Sequence, residues 1–412
     1  MNRAATPPLA AAAPAWSAEP SGFDINELDR RFLENPFPTY RRLRDESPVH
    51  RNPDGTFLVT RYADVLTVLR DKRMSNDKTV TFMRTLGNTP VYEHHTHTMV
   101  FRDPPDHTRL RRLVSHAFTP KALAAMAPLI DRAVDQLLEE NMRGGKMDMI
   151  GNFTYLLPLA VITYLMGVPT DQRDQFRRWS SAITASLEPK PSAETIATAS
   201  TAVEEFKAYL ADLADRRRKE PGDDLISLLV QAEEDGDRLT GLDLLHNAAF
   251  LLNAGHETTT NLVGNGMHAF FRFPDQLTRL RARPDLLEDA VEEMLRFDSP
   301  NQIGGRSPTE DFAFGDTVVP KGTFIWIANG AANHDDRVFD HPDRFDIARA
   351  PNKHVAFGHG IHLCLGASLA RMEAKAAVHA LVTRFPTLHP AGAPVRRLRA
   401  RHRGFSSYPV AV

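Results

Sequence analysis

Apolar side chains recur at three- and four-residue steps through most of the chain, the spacing that puts one buried face on a helix. The pattern predicts helices over 36–46, 62–69, 123–143, 153–167, 171–187, 193–219 and 223–234. Gly144-Gly145, Pro169, Pro189-Lys190-Pro191 and Pro221-Gly222 divide the later ones. The longest run, 240–271, would extend roughly 48 Å at ~1.5 Å per residue, enough to cross the molecule. A further helix is predicted over 285–297. Alternation with period two appears only in short runs. Val49–His50 and Phe57–Thr60 flank the turn Asn52-Pro53-Asp54-Gly55, residues 300–306 turn into strand, and Phe312–Val319 and Thr323–Ile327 flank Pro320-Lys321-Gly322. Residues 71–105 show no sustained period and hold Gly87, Pro90, Pro104 and Pro105, so they read as a long irregular connection. Residues 333–356 read as a meander. The expected fold class is mainly α with a small β-rich lobe at one side. No repeat or linker divides the chain, which predicts one domain over 21–412 behind an Ala/Pro-rich disordered tail over 1–20.

One stretch carries chemistry of its own: Phe357-Gly358-His359-Gly360-Ile361-His362-Leu363-Cys364-Leu365-Gly366, placed just before a helical run that starts at Ala367. It contains the chain's single cysteine. Unpaired N–H groups at a helix start carry partial positive charge and favour a thiolate, the form that binds metals. Gly358 and Gly360 allow positive φ and a close approach to a flat ligand. A thiolate beneath a planar iron macrocycle would suit this loop, with loop N–H groups tuning the sulfur. Taken alone, a lone cysteine is more often a small buried hydrophobe.

Three other stretches are ambiguous on their own. The centre of the longest helix, Phe250-Leu251-Leu252-Asn253-Ala254-Gly255-His256-Glu257-Thr258-Thr259-Thr260-Asn261, has poor helix propensity. A carboxylate beside a hydroxyl in apolar surroundings is costly unless used or paired, although the threonines could simply bond back to carbonyls of a kinked core helix. In Asp103-Pro104-Pro105-Asp106-His107-Thr108-Arg109-Leu110-Arg111-Arg112, Asp106 is placed to cap a helix running to about residue 118. His107 and Arg111 share a face at i, i+4, as a solvated basic face also would. Glu293 and Arg296 face each other at i, i+3, a common surface pair. Arg396, Arg397, Arg399, Arg401 and Arg403 read as surface, and Arg216–Lys219 as a solvated helix end.

Taken together these residues resemble the cytochrome P-450 family. Phe-Gly-x-Gly-x-His-x-Cys-x-Gly running into Ala-x-x-Leu-Ala-Arg is similar to its haem-thiolate loop. Ala254-Gly255-His256-Glu257-Thr258-Thr259 is similar to its oxygen-activation pattern, and Asp-Pro-Pro-Asp-His-x-x-x-Arg to its haem-edge helix. The resemblance runs from about residue 25 to the end. It implies the P-450 fold, with heme b (iron protoporphyrin IX) between the long central helix and the Cys364 loop. It implies Cys364 as the iron ligand, with Phe357 beside the cofactor and His107, Arg111, Arg306 and His362 donating to the propionates. Arg109 and Arg112 would then point outward. Ala254 and Gly255 would leave room for dioxygen, Thr258 would hydrogen-bond it, and Glu257 would feed protons from solvent. Glu293, Arg296 and Arg344 would form a locking triad. The region 71–105 would cover the substrate, with Phe82, Met83, Val100, Phe101, Phe250, Ala254 and Ile303 as walls and the Gly404-Phe405 turn reaching the same pocket. The implied activity is a haem-thiolate monooxygenase inserting one oxygen atom of O2 into an apolar small-molecule substrate, with electrons from a ferredoxin and ferredoxin reductase. A peroxide-driven haem enzyme and a non-enzymatic haem sensor or carrier remain open alternatives.

Composition narrows the picture. Fifty basic residues against 52 acidic ones give a net charge of −2, which argues against a nucleic-acid binder working through bulk charge. One cysteine makes an intrachain disulfide impossible, supplies no set for an iron–sulfur cluster and fits a reducing compartment. No segment approaches the ~20 apolar residues of a membrane helix, and residues 1–20 lack the charged start and apolar run of a signal peptide. The sequence therefore predicts a cytoplasmic protein with neither a membrane nor a nucleic-acid partner, fed with electrons by a separate protein.

Overall fold

Asn52–Gly55 turns the chain back on itself with Gly55 at φ 85, so the two short alternating runs meet as a hairpin. The computed structural model describes residues 22–169, 172–234 and 239–412, and the tail expected over 1–20 lies outside the described residues. The strands that matter to the site are β1 (Val49–Arg51), β2 (Phe57–Val59), β3 (Met74–Ser75), β4 (Ile303–Pro308) and β5 (Ile325–Ala328). They form one sheet in the order β1-β2-β5-β4-β3. β2 and β5 run parallel, with Phe57 opposite Ile325, and the other neighbours are antiparallel. Phe57, Val59, Ile325 and Ile327 pack with Val65 and Val68 of the helix Tyr62–Arg70 to form the core of this lobe.

The rest is mainly helical. The long helix, Gly241–Arg272, starts where Thr240 accepts the Asp243 N–H and Asp243 accepts the Thr240 N–H in return, satisfying two orphan donors at once. Its other faces pack on Leu156–Met166, Ala193–Lys219, Leu287–Phe297 and Ala367–Arg384. Apolar side chains including Leu262, Met267, Phe270, Met294 and Leu381, joined by Phe153 of the turn Ile150–Thr154, make the largest core. Among the described residues no single helix is long and apolar enough to cross a membrane.

Several expectations are corrected. Residues 71–105 are not irregular throughout: they contain the helices Thr79–Leu86 and Pro90–His97, the latter capped by Thr89. Each is 8 residues long, too short for a period to stand out. Asp106 does not cap its helix. It is the first residue of Asp106–Ser115, and its carboxylate pairs with Arg102 at 3.0 Å. The C-terminal stretch is not a surface tail either. Pro409–Ala411 lies between Lys146–Asp148 and His389–Pro390, and Val395–Arg396 pairs with Phe405–Ser407. Phe405 and Tyr408 are buried, so the arginines between 396 and 403 are drawn into the molecule. Gly404 and Phe405 take no part in the cavity wall; Gly404 sits against Asn261 on the long helix.

Candidate active site

Gly358 and Gly360 adopt φ of 69° and 71°, a region that side chains rarely occupy, and they fold the cysteine loop into a tight double turn. A Cβ on Gly360 would stand 2.7 Å from the Leu69 carbonyl oxygen, so the residue also lets the loop press onto the sheet lobe. The Cys364 N–H donates to the Phe357 carbonyl at 3.0 Å, which closes the loop just before the helix Ala367–Arg384. The Cys364 side chain opens into a large cavity while protein surrounds it on its other sides. Burial pushes the thiol up, against a downward pull from the Gly366 N–H, Arg111 and Arg371.

Facing the loop is the middle of the long helix. Ala254, Gly255 and Thr258 line the same cavity as Cys364. Thr258 Oγ1 donates to the Ala254 carbonyl at 3.2 Å, and Thr260 Oγ1 to that of His256 at 2.9 Å, so the hydroxyls bond back along an unbroken helix. The missing side chain of Gly255 serves packing first, since a Cβ there would lie 2.7 Å from Ile162. Glu257 is not in the wall. It is buried behind it, and one oxygen, Oε1, accepts from Arg397 Nη1 at 2.7 Å and Arg399 Nη1 at 3.0 Å. Its other oxygen, Oε2, is buried without a partner among the described residues. Burial opposes the charge, but Arg399, His402 and Arg397 outweigh it and hold the carboxyl below its ordinary value.

One edge of the cavity is crowded with cations. The sequence-predicted His107, Arg111, Arg306 and His362 all line it. The His107 and His362 rings lie 4.1 Å apart, Arg111 Nη2 donates to the Leu363 carbonyl at 2.7 Å, and Arg306 Nη1 donates to Asn76 Oδ1 at 2.7 Å. Sequence reasoning missed Lys78, which shares this edge. It is 3% exposed, its Nζ has no hydrogen-bond partner among the described residues, and it lies 4.9 Å from the Phe324 ring centroid. A lysine in an aperiodic stretch carries no spacing signal that could have marked it. Burial, then Arg306, His107, Arg111 and Lys78, push His362 down to about 2. Burial and Arg306 hold Lys78 well below its usual range. His107 Nδ1 is likewise buried and, among the described residues, unpartnered.

This donor set fits haem b: a sulfur for the iron, apolar walls for the ring, and a crowded cationic edge with orphaned N–H groups for two carboxylates. Phe357 lines the cavity beside the sulfur, and Arg371 stacks on its ring at 4.6 Å while pairing with Glu292. Of the expected substrate walls, Phe82, Val100, Phe101, Phe250 and Ala254 do line the cavity. Met83 and Ile303 do not: Met83 is 43% exposed to solvent, and Ile303 is buried in a separate core with Phe23 and Leu58. Arg109 does not point outward. It is held between Asp106 and Asp243, whose Oδ2 lies 3.1 Å away, while Arg112 is exposed.

The locking triad exists with a different third member. Arg296 donates to both Glu293 oxygens at 2.7 and 2.8 Å, and the second arginine on that carboxylate is Arg349, whose Nε lies 3.2 and 3.1 Å from its oxygens. Arg344 is exposed and offers only its carbonyl, because Phe345 beside it turns into the core.

Comparison with known proteins agrees with this geometry. The family model for cytochrome P450 matches residues 48–407. Cytochrome P450 107B1 of Saccharopolyspora erythraea is 42% identical over 405 residues, covering 94% of this chain and 97% of that one. Cytochrome P450 monooxygenase PikC of Streptomyces venezuelae is 42% identical over 383 residues, covering 90% and 89%. Among solved structures, that of CalO2 superposes with a TM-score of 0.89 at 35% identity, covering 95% of this chain and 98% of that one.

Proposed function

The chain belongs to the cytochrome P450 family, and from that premise we propose how its residues divide the work of a haem-b monooxygenase. The protein is an oxidoreductase acting with O2 on a small-molecule substrate, as its relatives named monooxygenase and hydroxylase are. When bound, haem b supplies the O2-activating iron, whose thiolate ligand favours O–O cleavage. Cys364 would supply that thiolate. The observation that carries this reading is that the single sulfur and the nitrogen-rich edge, with Lys78 Nζ and His107 Nδ1 unpartnered among the described residues, open into one cavity.

Arg111, Arg306, His107 and His362 would take the two propionates, the arginines as flat forks. That would neutralise an edge on which Arg306 and Lys78 otherwise repel each other. Arg111 and Arg371 beside the sulfur would favour its charged form. Across the cavity, Thr258 holds a hydroxyl proton at the wall. Glu257 stands one residue earlier, with Thr184 acting on its carboxylate and Oε2 short of a geometric hydrogen-bond partner among the described residues, and it would pass a proton toward Thr258 by way of water. Phe82, Val100, Phe101 and Phe250 give the substrate end its apolar lining and keep bulk water out. For electrons, the exposed Arg112 lies on the helix that also carries Arg111 beside the cysteine loop, a surface suited to an acidic ferredoxin supplied by its reductase.

The test is Cys364→Ser. The wild type should bind haem and give the red-shifted absorption of a thiolate-ligated, reduced carbonyl complex, and the serine variant should lose that band and its monooxygenase turnover. A wild-type protein that stays colourless when supplied with haem would overturn the reading.

A further inference from the structure

Arg401 stands apart from the other arginines of the segment between Val395–Arg396 and Phe405–Ser407. Arg397 and Arg399 end on Glu257, and Arg403 Nε donates to Asp298 at 2.8 Å. Among the described residues the Arg401 guanidinium makes no hydrogen bond or ion pair, and its Nε is buried and unpartnered. Its side chain lines the cavity.

The backbone that carries it is fixed. The Arg401 N–H donates to Glu188 at 3.3 Å, the Ala400 N–H to Glu188 Oε2 at 2.7 Å, and the Arg401 carbonyl accepts the Gln302 N–H at 2.8 Å. Glu188 is thus occupied with peptide N–H groups rather than with the guanidinium. Arginine cannot discard its proton, so this guanidinium stays charged, favoured at a distance by Glu188 but with no direct ion pair among the described residues. Lys78, also buried and unpaired, faces the same cavity, and its charge is disfavoured in part by Arg401. Burial and Arg401 also push His95 down, to about 3. The haem edge has Arg111, Arg306, His107 and His362 for two carboxylates, which leaves Arg401 over. Glu188 and Asn301 stand beside it, and Phe82 and Phe250 line the same cavity.

We propose that the substrate is an amphipathic acid: a carboxylate held by the Arg401 fork, in the corner formed with the turn Ser186–Glu188 and Asn301, and an apolar body lying along Phe82 and Phe250. This rests on the haem-monooxygenase reading and refines the apolar substrate expected from sequence to one with a single anionic end.

The experiment uses the full-length, haem-loaded protein. Decanoic to hexadecanoic acids and a bile acid are each titrated against their methyl esters, and the iron's spin state is followed by absorption. A charge-assisted, two-point hydrogen bond predicts that at least one acid binds about tenfold or more tightly than its ester. In Arg401→Met that preference should fall to about one with the ester's Kd little changed, and Arg401→Lys should keep part of it. The proposal is overturned if no acid binds more tightly than its ester, if the preference survives in Arg401→Met, or if Arg401→Met weakens haem retention instead. Haem uptake is read in the same cuvette. Loss of the acid preference alone leaves the haem-thiolate reading standing, whereas a protein that takes up no haem removes that reading itself.

Discussion

Two buried glutamates each meet two arginines, and they are built for opposite ends. Glu293 is fully enclosed, and both its oxygens are used: Arg296, Arg349 and the Asp346 N–H on one, Arg296, Arg349 and Asn352 on the other. Arg296 then donates to the carbonyls of Asn333, Pro342 and Arg344, so the knot ties the helix Leu287–Phe297 to the meander leading to the cysteine loop. Glu257 puts both of its arginines on one oxygen and leaves the other empty. A closed cluster can only hold. An open one can also exchange a proton, provided the fold does not depend on it. The difference explains why one Glu-Arg pair reads as architecture and the other as chemistry, although their side-chain inventories are nearly the same.

The comparison breaks first at the closed knot. Glu293→Ala leaves Arg296 wholly buried and Arg349 nearly so, without a counter-charge, and should cost about 3–5 kcal/mol of stability and abolish haem uptake. Arg349→Ala should act in the same sense, while Arg344→Ala, which keeps the carbonyl, should be close to neutral. Urea unfolding of the three variants ranks them, and a severe Arg344→Ala would return that residue to the triad.

At the open cluster the expected loss is in rate. Glu257→Gln should lower product formation about 10²-fold, within the usual span for a positioned acid–base group. Its unfolding midpoint should fall less than that of Glu293→Ala, because Arg397 and Arg399 are each 17% exposed and can turn toward water. Product yield per electron supplied, measured beside the unfolding midpoint, separates the two roles. Full turnover in Glu257→Gln would make Glu257 a second Glu293.

The smallest effect is in acid. The Glu257 carboxyl is held below its ordinary 4.5 in the folded protein, so its ion pairs stabilise the fold fully above about that pH. That contribution disappears as pH falls through the depressed folded value. The stability gap between wild type and Glu257→Gln should therefore be flat from pH 6 to 8 and close below 4.5. A gap that widens in acid would mean that the carboxyl is held protonated instead.

The features legible in the sequence share one property, which is that neighbouring residues decide them. The hairpin at Asn52–Gly55 follows from its turn residues, and the span of the long helix follows from its period and the Thr240 cap. The double turn of the cysteine loop needs φ that glycine supplies, and His107 and Arg111 share a face because four residues make about one turn. Even the choice of Cys364 as the proposed iron ligand needed only one cysteine in the right ten residues.

What escaped were the charge pairings across long separations, whereas the resemblance did bring His107, Arg111, Arg306 and His362 to one edge. A run of arginines reads as surface because burying a charge is costly, and nothing near residues 396–403 reveals that Glu257 and Asp298, well over ninety positions earlier, would meet them. Arg349 displaced Arg344 because the packing of Phe345 sets which way the meander turns. Lys78 and Arg401 reached the cavity only when the sheet lobe and the C-terminal segment closed over it. Sequence determined the helices, the turns and the sulfur, since local hydrogen bonds and torsions are fixed within a few residues. Tertiary structure alone decided which charges were buried together, since a counter-charge has a position only after the chain has closed.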